Sequence, residues 1–349
     1  MRLIFVAAML VWQCFAEDFV LAGRTIPAGT RLDFDLPVAA GVDPATEIPV
    51  SVLHGAKAGR TLLITAGVHG AEFVPILGVQ QFLPQVDPKL LSGTLIVVRI
   101  THVASFLRAT VFYNPYDHKN LNRVFPGSPT GTQTERIAHI FTTQLLSRAD
   151  ALIELHAGDA TESLHPFVGV YGGALATRQY PLAKKIGLGL GLPTVLHYRI
   201  DTPEQIQGTG RSSNRQAVAD GKATVLVEIG DRGRRDDRLV RQLSDGLVNM
   251  LRVMEMLPGK GRPSPAGLKW YTATASAAPK NTGIFYPLKE AGMLTRKGER
   301  VGYVTDFAGK VIDELSSPAD GLILYMPYAP PLNAGSSSPL VIAIAGTPD

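Results

Sequence analysis

Along the chain, short unbroken apolar runs alternate with stretches in which apolar residues recur every three or four positions. The run "TLLIT", Thr61 to Thr65, reads as a buried strand ending in Ala66 and Gly67. A helical pattern then begins near Glu72, with Pro75 in its first turn, where proline is tolerated. Thr94 to Ile100 is a second β-branched run, and Thr132 with Glu135 makes a capping box ahead of Ile137, Ile140, Phe141 and Leu145 at helical spacing. Ala151 to Leu155 is apolar except for Glu154, and Thr224 to Ile229 is nearly so. Leu239, Leu243, Leu247, Met250, Leu251 and Met254 line one helix face. Continuous apolar strands alternating with helices predict an α/β sheet covered on both sides.

The two ends of the chain depart from this pattern. "PGKGRPSP", Pro258 to Pro265, reads as a linker, so a body over residues 17–257 and a linker over 258–268 are expected. In 269–349, short runs at Gly283 to Phe285, Val301 to Val304, Gly321 to Tyr325 and Leu340 to Ile344 are separated by Gly, Pro, Asn and Asp turns, which predicts a small all-β domain. At the other end, Met1 and Arg2 precede an unbroken apolar run from Leu3 to Trp12, followed by Gln13, Cys14, Phe15 and Ala16 and then acidic Glu17 and Asp18. The run is well short of the roughly 20 residues that span a bilayer. It reads as a signal peptide over residues 1–16, which implies an exported protein, periplasmic or secreted, with no stable membrane insertion after cleavage. Gln13 is bulkier than the small residue that lipid attachment at Cys14 wants, and Cys14 is the one cysteine, so no disulfide is expected.

Composition narrows the function. With 45% hydrophobic and 18% charged residues the chain has ample material for a core, which argues against disorder. The 34 basic residues exceed the 30 acidic ones, but no run of five occurs, so a nucleic-acid stripe is disfavoured.

Histidines and carboxylates at predicted strand ends carry the candidate chemistry. His69 and Glu72 form H-x-x-E where a strand gives way to a helix, at the carboxyl edge where open α/β sheets place their sites. His156 directly follows the run Ala151 to Leu155, so another strand delivers a histidine to the same rim. Two histidines and one carboxylate suit a zinc ion with a fourth position open to water. Glu228 lies near the end of a further apolar strand, where an unpaired carboxylate costs several kcal/mol and therefore needs a reason.

Four blocks, "HGAKAGRTLLITAGVHGAEF" (54–73), "DHKNLNRVFPG" (117–127), "ELHAG" (154–158) and "VEIG" (227–230), together resemble the succinylglutamate desuccinylase/aspartoacylase family, relatives of the zinc carboxypeptidases. The resemblance implies a three-layer mixed-sheet fold with a C-terminal β domain near the active-site mouth. It also implies His69, Glu72 and His156 as ligands of one zinc ion, Glu228 as general base, and Asn122 with Arg123 as the pair that holds the substrate. A guanidinium meets a carboxylate with two parallel hydrogen bonds, so the expected reaction is zinc-dependent hydrolysis of an amide in an N-acyl amino acid or similar carboxylate-bearing small molecule. The same centre in an exported protein also fits a carboxypeptidase acting on peptides or cell-wall peptides. A noncatalytic anion-binding protein on this fold is a third reading, against which the buried Glu228 argues.

Two departures from the family pattern stand out: His118 where glycine is usual, and Glu154 where aspartate is common. Histidine rarely adopts the φ values open to glycine, so the first bears on the substrate loop. Asp159 is a candidate support for a metal ligand, Arg108 and Arg211 are candidates for anion contact or plain surface residues, and His102 and His165 read as structural or exposed. Leu294 to Leu324 resembles the hammerhead barrel of biotin- and lipoate-carrying domains, but Lys310 in "FAGKV" lacks the flanks of either attachment motif and reads as unmodified.

Overall fold

The apolar runs become the middle of a thirteen-stranded mixed sheet in the computed structural model, which describes residues 16–335 and 340–348. The expected signal peptide therefore lies, apart from Ala16, outside the described residues. Across the body the strand order is Lys269–Ala277, Thr194–Arg199, Phe167–Gly172, Ala223–Glu228, Ala151–His156, Lys57–Thr65, Ser92–Val98, Thr46–His54 and Thr30–Val38. Ala151–His156 runs parallel to both neighbours, so its carboxyl end lies beside those of Lys57–Thr65 and Ala223–Glu228. Phe167–Gly172 is antiparallel to Ala223–Glu228, and this makes the sheet mixed.

Alternation along each strand sends side chains to opposite faces. Leu62, Ile64, Ile153, Leu155, Val225 and Val227 pack with the helices Phe73–Phe82, Tyr180–Gly189 and Asp237–Val253. Leu63 and Leu152 pack instead with Gln133–Ile140, the turn Phe141–Leu145 that continues it, and Ala217 of the helix Ser213–Ala219. Helix, sheet and helix make three layers. The capping box at Thr132 and Glu135 is formed, and Asp236 caps the long helix by accepting from the N–H groups of Arg238 and Leu239. No helix among the described residues is long and apolar enough to cross a membrane.

The C-terminal strands form two groups. Val311–Ser316, Arg300–Thr305, Gly283–Pro287 and Pro331–Leu332 make a separate four-stranded sheet, while Leu340–Ala345, Gly321–Pro327 and Leu294–Thr295 extend the main one. The joint is the strand Lys269–Ala277. Its first residues pair in parallel with Thr194–Arg199, and the remainder pairs antiparallel with Leu340–Ala345. Glu162–Leu164, shortly after His156, pairs with Gly321–Pro327 and sets Tyr325 opposite Leu164. Lys310 is exposed in the hairpin between Arg300–Thr305 and Val311–Ser316, where its N–H donates to Asp306.

Candidate active site

His69 and Glu72 lie in the loop between the strand Lys57–Thr65 and the helix Phe73–Phe82. That loop turns tightly under the helix Val103–Arg108: a Cβ on Gly70 would stand 2.1 Å from the Phe106 amide nitrogen, so only glycine fits there. Glu72 occupies the N-cap of its helix, yet its side chain makes no capping bond. The carboxylate turns instead to two imidazoles, with Oε1 at 2.7 Å from His69 Nδ1 and Oε2 at 2.9 Å from His156 Nδ1. Oε2 also accepts from the Ala157 amide at 3.2 Å.

All three side chains are buried, and one donor atom from each lies within 4.8 Å of the others. Two imidazole nitrogens and a carboxylate oxygen so disposed fit a single zinc-sized ion held at about 2 Å. The outer nitrogens are also occupied. His69 Nε2 faces Asn120 Oδ1 at 3.1 Å, and His156 Nε2 lies 3.3 Å from Glu154 Oε2 and 3.4 Å from Asn122 Nδ2.

Glu228 stands in register beside His156 on the neighbouring strand and is 8% exposed. It accepts a hydrogen bond from the Tyr325 hydroxyl at 2.8 Å. Burial, with Glu72 and Glu154 adding like charge, pushes its pKa up to about 8, against the lowering pull of His156 and Tyr325. Burial acts the same way on Glu72, but there the charges and hydrogen bonds of His156 and His69 prevail and bring it to about 2. His156 is held well above the ordinary imidazole range, because Glu72 and Glu154 outweigh the desolvation that opposes its charge.

Asn122 is buried beside His156, its Oδ1 accepting from the Ser213 amide at 3.1 Å. Arg123 is exposed, with Nη1 donating to the Asn122 carbonyl at 2.7 Å. Partial desolvation and then the charge of Arg215 lower its pKa, so the two guanidinium groups share one neighbourhood. Of the other candidates, Arg108 is exposed, and Arg211 is bound to Gln216 and Gln207. His165 bonds Thr194. His102 is fully buried, which drops its pKa to about 4 with help from the charge of His69. Asp159 is buried, and its Oδ1 holds the amide and hydroxyl of Thr161. His118 is exposed and adopts φ +56°, the left-handed conformation that the usual glycine would take without strain.

Sequence reasoning did not single out Tyr325, Asn120, Ser213, Asn214 or Arg215. The one available signal concerned Glu154, a lone charge in an apolar run with the same strand parity as His156.

The sequence profile of the succinylglutamate desuccinylase/aspartoacylase catalytic domain matches residues 58–254. The N-alpha-acetyl-L-2,4-diaminobutyric acid deacetylase of Halomonas elongata is 26% identical over 308 residues, which cover 86% of each chain. Among solved structures, a succinylglutamate desuccinylase/aspartoacylase from Rhodobacter sphaeroides superposes with a TM-score of 0.78 at 21% identity, covering 91% of this chain and 96% of that one. The product-bound ectoine utilization protein EutE (DoeB) from Ruegeria pomeroyi gives 0.76 at 22% identity, with 91% and 95% covered. Both share the three-layer fold. With more than half of its length matched by the catalytic-domain profile, the chain belongs to the succinylglutamate desuccinylase/aspartoacylase family.

Proposed function

We propose that this protein is a zinc-dependent deacylase that hydrolyses the amide bond of an N-acyl amino acid or a similar small molecule bearing a carboxylate. The observation that carries this reading is the meeting of His69, Glu72 and His156 within 4.8 Å of one another, beside a buried Glu228 with a raised proton affinity. Family membership supports it, as does the deacetylase named above. The apolar leader over residues 1–16 favours an exported enzyme.

His69, Glu72 and His156 would hold the ion, which when bound supplies Lewis acidity and lowers the pKa of water. Glu228 is the proton carrier. A carboxylate whose pKa lies near 8 takes a proton from water and returns it to the leaving amine more readily than an ordinary glutamate. Tyr325 fixes the orientation of that carboxylate through its hydroxyl. Arg123, with Arg215 close by, offers cationic groups at the rim for the substrate carboxylate, and Asn122 offers an amide next to the metal ligands.

The test is a substrate screen on purified protein of known metal content. N-acetyl and N-succinyl amino acids, neutral N-acyl amides and short peptides are compared, with Glu228→Gln as the blank. Zinc-dependent turnover of N-acyl amino acids, absent in the blank, supports the reading. Turnover confined to peptides, or equal in the blank, overturns it.

A further inference from the structure

Glu154 is fully buried, two residues before His156 on one strand and therefore on the same face of the sheet. A carboxylate in that position needs compensation, and it comes from one segment. The Ser213 hydroxyl donates to Oε1 and the Asn214 side-chain amide donates to Oε2. Oε2 also lies 3.3 Å from His156 Nε2. The His156 ring is thus held between two carboxylates, Glu72 on its Nδ1 side at 2.9 Å and Glu154 on its Nε2 side. His69 has no such arrangement, since an uncharged amide oxygen of Asn120 faces its Nε2.

We infer that Glu154 is a positioning residue, which with Ser213 and Asn214 fixes the tautomer and orientation of His156 so that its Nδ1 lone pair is presented to the metal. The inference rests on the reading that His69, Glu72 and His156 hold a divalent ion. Once Nδ1 gives its lone pair to an ion, the one ring proton sits on Nε2, and Glu154 Oε2 is the charged acceptor beside it. Ser213 extends the device to the substrate side: its backbone N–H donates to Asn122 Oδ1 at 3.1 Å, which turns Asn122 Nδ2 toward His156. One residue therefore ties the orienting carboxylate to the amide proposed to meet the substrate. The glutamate is matched to its surroundings, because an aspartate here, one methylene shorter, would draw the carboxylate away from one or more of its three partners.

The experiment compares native protein, Glu154→Gln, Glu154→Asp and Ser213→Ala for zinc affinity, measured by competition with a chelating dye. The visible absorption of the cobalt-substituted proteins is recorded alongside. Glu154→Gln is expected to weaken zinc binding by about 10- to 100-fold and to shift the cobalt bands. Glu154→Asp should fall between it and native, and Ser213→Ala, which removes one donor to Glu154 and keeps the backbone N–H that holds Asn122, should also weaken zinc binding. Zinc affinity and cobalt bands unchanged in all three, even with a lowered Tm, overturn the inference and leave Glu154 a structural residue. If Glu154→Gln does not fold, Ser213→Ala and Glu154→Asp decide on the same two readouts. A native chain that binds neither ion overturns the metal reading itself, whereas a native chain that binds no better than its variants overturns this inference alone.

Discussion

Glu72 and Glu228 are carboxylates of one pocket, both nearly closed to water, yet their proton affinities are driven apart, to about 2 and about 8. Around Glu72, two imidazoles and a backbone amide supply positive charge and donors. Glu228 accepts from one tyrosine hydroxyl, and the nearby carboxylates Glu72 and Glu154 repel its charge. Burial alone thus fixes neither role. What separates a group suited to hold a cation from one suited to carry a proton is the count and sign of its partners.

The contrast can be broken most severely at Glu228. Glu228→Gln should lower kcat by about 10²–10⁴-fold while zinc content, measured by elemental analysis, stays at the native level. Glu72→Ala should act on folding as well as on the metal. It leaves His156 without one of its two anionic partners, and a loss of about 3–5 kcal/mol is expected in urea unfolding of the metal-free chain.

Next comes pH. Between 4.5, the ordinary glutamate value, and about 8, the folded chain holds a proton on Glu228 that the unfolded chain has released. That contribution to stability is full below the lower value and disappears as pH rises through the upper one. The urea midpoint of metal-free Glu228→Gln should therefore gain on that of native protein as pH is raised from 5 to 8, and a gap that stays constant would contradict the raised pKa. Tyr325→Phe removes a bond that lowers the Glu228 pKa, so the acid limb of kcat/KM should move to higher pH, with about a tenfold loss near neutrality. The smallest effect is a control that touches neither carboxylate. His118→Gly should relieve left-handed strain and raise stability by about 1 kcal/mol, read as a higher Tm with kcat unchanged.

What was legible in the chain follows from how local each feature is. H-x-x-E puts His69 and Glu72 within one turn, and the apolar runs ending at His156 and Glu228 point both at the same edge. The capping box at Thr132 is likewise a four-residue matter. Tyr325 was not legible, because nothing near it in sequence marks it. It reaches Glu228, 97 positions away, through the pairing of Gly321–Pro327 with Glu162–Leu164. Ser213 and Asn214 were hidden for the same reason: their partner Glu154 sits about 60 residues earlier, and the first turn of a short helix advertises no tertiary role. The strands Thr30–Val38 and Thr46–His54 lie toward the edge of the sheet, where mixed polar and apolar positions, with Pro37 and Pro49 inside the strands, blur the alternation.

The strand Lys269–Ala277 belongs to both halves of the molecule, and this constrains protein engineering. Cutting the chain at the Pro258 to Pro265 segment to isolate the half that carries His69, Glu72 and His156 would strip Thr194–Arg199 of a hydrogen-bonded neighbour and leave a raw border of backbone amides and carbonyls open to self-association. The same cut would remove Tyr325. Swapping tails between relatives should therefore start upstream of residue 269 and carry the whole terminal segment, so that the graft brings its own seam.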